Sequence, residues 1–202
     1  MALPHLTIDH VFVCTSRGAP AAVLLKQSGL TEGEPNRHRG QGTACRRFFF
    51  SNAMLELLWL EDEAEAQSEQ ARGLRLWERL SGQGSPFGVI LRGAGACPWR
   101  SWSYRPPLMP GLELEIAADT EFDEPMWCYM RSDRGSTGIR EVTGVVIGCP
   151  FVKEGSVTAM MAESGVIGIR GGMEHLLELE FDGGRRGTML DFRPALPLVC
   201  RV

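Results

Sequence analysis

The sequence predicts an α+β fold built from two βαβββ modules that flank an inserted α/β segment. Three observations predict it. Residues 7–60 read strand, helix, strand, strand, strand, from the spacing of apolar residues and turn formers. Residues 142–194 repeat that order. The last strands of the two copies also match, Ala53-Met54-Leu55-Glu56-Leu57 against Thr188-Met189-Leu190-Asp191-Phe192, with a carboxylate at the same place in each. Neither module alone buries a comfortable core, so 7–60, 61–141 and 142–194 are expected to form one structural domain spanning the 202 residues.

In chain order, Leu6–Cys14 alternates and then turns β-branched and aromatic, a strand. Ala19–Ser28 is a short helix with Ser16 as its N-cap and Gly29 as its stop. Thr31–Gly42 is a weak strand plus loop. Thr43–Phe50 and Ala53–Leu60 are apolar runs joined by Ser51-Asn52, a hairpin signal. Glu61–Gly82 changes to Glu, Ala, Gln and Arg and reads as one helix, with Leu74, Trp77 and Leu80 at helical spacing. Phe87–Arg92, Leu112–Ala117 and Met126–Met130 are strands around an irregular Trp/Pro-rich stretch, Cys97–Pro110, and Asp133–Gly138 is a loop. The last third brings a strand (Val142–Cys149), a helix (Ser156–Glu163) stopped by Gly165, a weak strand (Val166–Arg170), and two strands (His175–Phe181, Thr188–Arg193) around the turn Asp182–Gly187.

Composition narrows the function classes. With 44% apolar and 23% charged residues and a net charge of −4, the chain is neither disordered nor basic enough for non-specific nucleic-acid binding. No run of 18 apolar residues exists, which excludes a helical membrane span. The N-terminus shows no basic region followed by an apolar one, so a cytoplasmic location is expected. Of the 21 basic residues only Lys26 and Lys153 are lysines, a bias of composition rather than a phosphate-binding surface. The six cysteines are scattered without a CxxC pair and sit mostly in apolar runs, as reduced, structural residues.

Chemistry concentrates on Glu56. Strand alternation puts Met54, Glu56, Leu58 and Leu60 on one face, and a carboxylate among large apolar side chains needs a metal or a cation as partner. IDHVFV around His10, GTACRRFFFSNAMLELLWLED around Glu56 and the Gly-rich turn before TMLDFRPALPL resemble the vicinal oxygen chelate superfamily, in particular its glyoxalase-like domains. That resemblance implies a cupped mixed sheet, of the glyoxalase/bleomycin-resistance kind, in which each module supplies two metal ligands. Carried over, His10, Glu56 and Asp191 are the metal ligands, with Glu56 and Asp191 also the catalytic carboxylates. The remaining position falls near Gly144, which has no side chain to offer. His175 or His38 could supply a nitrogen from a non-matching position.

One imidazole and two carboxylates suit Zn, Mn, Fe or Ni, and such an ion could stabilise an enediolate or oxyanion on a small oxygenated substrate. The implied activity is that of a metal-dependent lyase, isomerase or oxygenase. The alternative is a metal-free protein that binds or sequesters a small ligand or drug on the same fold, which Gly144 favours. Arg46 and Arg47 alternate faces, so one of them enters the cup to bind a ligand anion, or else pairs with Glu56. The loop HRGQGT, starting at His38, is expected to contact ligand. A small molecule is the expected partner, without nucleic acid or membrane, and the resemblance adds a homodimer.

Overall fold

The structure, a computed structural model, describes residues 6–107, 109, 111–132 and 140–202, so the loop expected at 133–138 lies outside the described residues. Strand β1 (Thr7–Cys14) leads to helix α1 (Ala22–Gln27), then β2 (Asn36–His38), β3 (Thr43–Phe49) and β4 (Met54–Leu60). The first βαβββ order is therefore as expected. Gly29, at φ +82°, ends α1 in the left-handed conformation that suits a residue without Cβ. The helix begins at Ala22, however, and Ser16 does not cap it; Ala21 stands at that position without a side-chain bond.

The segment expected to be one helix is three short turns: α2 (Glu63–Ala66), a 3₁₀ turn (Arg72–Leu74) and α3 (Leu76–Leu80). Asp62 caps α2 by accepting from the Glu65 amide, and Arg75 adopts φ +55°, which breaks the path between the last two turns. Four strands follow, β5 (Phe87–Gly93), β6 (Ser101–Tyr104), β7 (Leu114–Ala117) and β8 (Met126–Arg131). Strand β6 lies in the stretch that the sequence marks as irregular.

These eight strands form one mixed sheet in the order β2-β3-β4-β1-β5-β8-β7-β6, curled into a half-barrel. Its topology is two-fold. Strands β1 and β5 pair antiparallel at the centre, each carries its unit's last strand parallel on its outer side, and β3-β2 and β7-β6 complete the flanks. The counterpart of residues 7–60 in this sheet is thus the segment 87–131, which the sequence reading treats as an insertion.

Residues 142–201 form a separate five-stranded sheet. Strands β9 (Val142–Cys149), β10 (Gly168–Gly171), β11 (Leu176–Phe181), β12 (Met189–Asp191) and β13 (Leu198–Arg201) lie in the order β10-β9-β11-β13-β12. Helix α4 (Val157–Ser164) is capped by the Ser156 hydroxyl and stopped by Gly165 at φ +72°. The expected pairing of 142–194 with 7–60 across one cup is therefore replaced by packing of two sheets. The matched carboxylate strands misled the register, because β5–β8 have no helix and no His or Glu signature to align.

The two sheets share the main core. Val11, Val13, Leu55, Leu57, Val89, Leu91, Trp127 and Tyr129 of the convex face meet Ile147, Leu177, Leu179, Phe181 and Leu198. The join is also polar. Asn52, in the β3–β4 turn, donates to the Val142 carbonyl at 2.8 Å and accepts from the Val142 amide at 2.9 Å. A second cluster, with Phe12, Leu58, Ile90, Ile116 and Cys128, covers the concave face under Leu74 and Leu76.

Candidate functional site

Strand alternation turns one set of side chains from all eight strands into the hollow of the half-barrel. His10 and Phe12 of β1, Asn36 and His38 of β2, Arg47 of β3, and Met54, Glu56 and Leu58 of β4 line one half. Ile90 of β5, Met126, Cys128 and Met130 of β8, Leu114 and Ile116 of β7, and Tyr104 of β6 line the other. The cavity is about 360 Å³ and lies in the size range of small-molecule sites. Close packing at its floor requires Gly88, since a Cβ there would stand 2.0 Å from the Phe12 ring.

The carboxylates, imidazoles, guanidinium and amides that line the cup belong to the first half. Glu56 is only 6% exposed; its Oε1 accepts from the Cys45 thiol at 3.5 Å, and its Oε2 lies 3.9 Å from His10 Nε2. His10 Nδ1 is 2.7 Å from Asp9 Oδ1, and the other Asp9 oxygen takes Arg92 Nη1 at 3.0 Å. Neighbours on a strand normally point to opposite faces; here the β1–β5 register shifts between Ile8 and His10, and this bulge lets Asp9 reach its neighbour. On the other side His38 Nδ1 is 3.0 Å from Thr43 Oγ1, which also accepts from Gln41 Nε2 at 2.8 Å. Tyr104 donates to Gln41 Oε1 at 3.2 Å and extends this chain across the cup.

The two imidazoles are pushed in opposite directions. Burial works against protonation of His10, but the Glu56 and Asp9 carboxylates together outweigh it and raise its pKa above 6.5. For His38 burial prevails over the more distant Glu56, helped by the positive charges of His10 and Arg47, and its pKa falls below 6.5. Burial and Glu56 also push the Cys45 thiol up, so it stays protonated when nothing binds it. A two-dimensional NMR titration of the protein in the presence of a chelator should show His10 titrating above 6.5 and His38 below it. Stability drawn from charged His10 should be complete below pH 6.5 and fade as pH rises through the raised folded value. Coincident titration of both rings near 6.5 would contradict the geometry.

Of the residues singled out from sequence, His10, His38, Arg47 and Glu56 meet in the cup. Arg47 enters it, with Nε on the Glu34 carbonyl at 2.8 Å and its guanidinium 5.2 Å from the Phe49 ring centre. Arg46 turns to the opposite face, where it pairs with Glu32 and takes the Ala19 carbonyl at 3.3 Å. Asp191 is not brought to the site. It lies exposed on β12 of the other sheet, and Arg193 beside it holds its carboxyl down at about 2. Gly144 belongs to β9, opposite Glu180, and His175 packs edge-on to Phe87 at 6.1 Å. Neither supplies the cup.

Cys45, Asp9 and Arg92 belong to the site without having been singled out, and Gln41 joins it from the loop expected to contact ligand. For Cys45 the signal was present: Thr43, Cys45 and Arg47 share a face, and the hairpin sets Arg47 opposite Glu56. For Asp9 there was none, because the bulge depends on β5.

A divalent cation fits the donors present. Ligand atoms of His38, Cys45 and Glu56 lie within 4.8 Å of one another, and His10 Nε2 faces Glu56 Oε2. The second half of the sheet offers nothing comparable: Gly88, Ile90, Met126, Cys128 and Met130 occupy the inward positions of β5 and β8. Among the described residues no arginine forms an ion pair with Glu56, and no helix is long and apolar enough to cross a membrane.

The chain as a whole is similar in fold to a known structure. A crystal structure of a hypothetical protein from Staphylococcus aureus superposes with a TM-score of 0.60 at 9% identity, over 96% of this chain and 98% of that one. No protein-family model and no curated protein matches the sequence.

Proposed function

We propose that the protein binds a small amphiphilic molecule in the cup, with its polar end at His10, His38 and Glu56 and its apolar body against β5, β7 and β8. One observation carries this reading: the carboxylate, imidazole, guanidinium and amide side chains lining the cavity come from Asp9 to Glu56, whereas Ile90, Leu114, Ile116, Met126 and Met130 line the other side, with Tyr104 and Cys128 as its polar groups. Such a division orients a ligand, since a polar group is costly to bury among methionine and leucine but finds partners at Glu56. Arg47 at the rim adds a cation for an anionic substituent.

A second reading, metal-dependent lyase, isomerase or oxygenase chemistry, draws on the resemblance to glyoxalase-like domains and on the donor set around Glu56. A cation held there by His10, His38, Cys45 and Glu56 would act as a Lewis acid toward substrate oxygens. The six free cysteines support a reducing, cytoplasmic setting for either activity.

The test is a thermal-shift and calorimetric panel of alkyl and aryl amines, acids and alcohols, run on wild type and on Met130→Lys. At least one class should raise the melting temperature and lose about tenfold or more in affinity in the variant, which places a charge in the apolar half. Failure of every class to bind, or binding indifferent to Met130→Lys, would remove this assignment.

A further inference from the structure

We infer that the polar end of the cup is a thiolate-containing metal site built on β1–β4 alone, with Cys45, His38, His10 and Glu56 as ligands to a borderline divalent ion such as Zn²⁺ or Co²⁺. The inference rests on the cup being a binding site and names the cofactor held at its polar end.

Three independent features carry it. The first is spacing. Donors about 2.0–2.3 Å from a tetrahedral ion lie roughly 3.3–3.8 Å from each other. Here Cys45 Sγ is 3.5 Å from Glu56 Oε1, His10 Nε2 is 3.9 Å from Glu56 Oε2, and the His38, Cys45 and Glu56 donors lie within 4.8 Å. Small side-chain adjustments close such a shell.

The second is orientation. Both imidazoles are held through Nδ1, His10 by Asp9 and His38 by the Thr43 hydroxyl, so both Nε2 atoms are left for a common ligand. Each holder is itself held, Asp9 by Arg92 and Thr43 by Gln41. Metal-binding histidines are fixed in this manner, with the ring nitrogen away from the metal donating to a carboxylate or hydroxyl. With Nδ1–H given to Asp9, His10 Nε2 faces Glu56 Oε2 across 3.9 Å, a gap that a ring proton fills when His10 is charged and that a metal ion can fill in its place.

The third is the chemistry of Cys45. Among the described residues this is the group of His, Cys, Asp and Glu whose donors converge, and its sulfur is wholly buried with Glu56 as its hydrogen-bond partner. A thiolate selects zinc-like ions over magnesium or calcium. On binding, the S–H bond breaks, the sulfur pair forms the S–metal bond, and the proton leaves to the buffer; no electron is transferred.

The test is a Co²⁺ titration of the metal-stripped full chain, read by absorbance. The expected result is one Co²⁺ per chain, a near-ultraviolet thiolate-to-cobalt charge-transfer band and visible d–d bands of tetrahedral strength, with Zn²⁺ displacing them. Cys45→Ser should abolish the charge-transfer band. His38→Gln should keep it while weakening Co²⁺ binding about tenfold or more. Cys149→Ser, on β9 of the other sheet, should change neither. Absence of the band, or its survival in Cys45→Ser, overturns the inference. Should Cys45→Ser not fold, zinc X-ray absorption of wild type decides: a sulfur at about 2.3 Å supports the site, and a shell of nitrogen and oxygen alone overturns it. Amphiphile binding by metal-stripped protein that shows no band leaves the binding function standing and removes only the metal. Co²⁺ binding without any amphiphile does the reverse.

Discussion

Replacing Trp127 with alanine should lower the unfolding free energy by about 3–5 kcal/mol, the cost of removing a large aromatic side chain from a core that cannot collapse around the space. Trp127 is wholly buried on the convex side of β8, in the cluster where the two sheets meet. Its indole donates to Thr158 Oγ1 at 2.9 Å, so it ties the cup to helix α4 of the other sheet. Thr158 is itself fully buried, and losing the indole leaves its hydroxyl short of a partner. Trp127→Phe keeps most of the volume and loses the hydrogen bond, so about 1–2 kcal/mol is expected. Both are read by chemical denaturation of the intact chain. A loss below about 1 kcal/mol for the alanine variant would mean that the sheets do not share a core.

Arg92→Met should cost about 3 kcal/mol, because it removes the buried guanidinium that partners a carboxylate mostly shielded from water. Arg92 is 7% exposed and spends its guanidinium on three partners: Asp9 at 3.0 Å, Thr7 Oγ1 at 3.1 Å and the Asn52 carbonyl at 3.1 Å. Burial alone would raise the Asp9 pKa; His10 and Arg92 together bring it below the ordinary value. In the variant only His10 remains to neutralise Asp9, so stability should depend more on a charged imidazole. The sign follows from the raised His10 value: protection is present at low pH and is lost as pH climbs through it. Denaturation at about pH 6 and about pH 9 should thus diverge more in Arg92→Met than in wild type. An equal loss at both values would show that Asp9 does not lean on His10.

The first module was legible because its signals are local. His10 and Glu56 stand out as polar residues on apolar strands, and the turn Ser51-Asn52 sets the hairpin register that puts Arg47 against Glu56. Alternation then decides which arginine enters the cup. The single long helix expected at 61–82 failed for a reason equally local in hindsight, since Arg75 takes a left-handed conformation that no helix continues through. Strand β13 escaped notice because Leu198–Arg201 is four residues between a proline-rich stretch and the end of the chain.

Determined by the sequence itself are the βαβββ order of residues 7–60 and the conjunction of His10 with Glu56, because alternation and turn chemistry act over a few residues. The number of modules that share one sheet, and the partner of the first, were decided only in three dimensions. Strands β5–β8 pair with β1–β4 through backbone hydrogen bonds, which any sequence can make, and their inward side chains are mostly apolar, without the His and Glu that mark β1 and β4. Asp191, equivalent to Glu56 by sequence, was lost to the site because its strand joined the other sheet. Cys45, Asp9 and His38 were drawn toward Glu56 by a bulge and by cross-strand register, which no single stretch of chain contains.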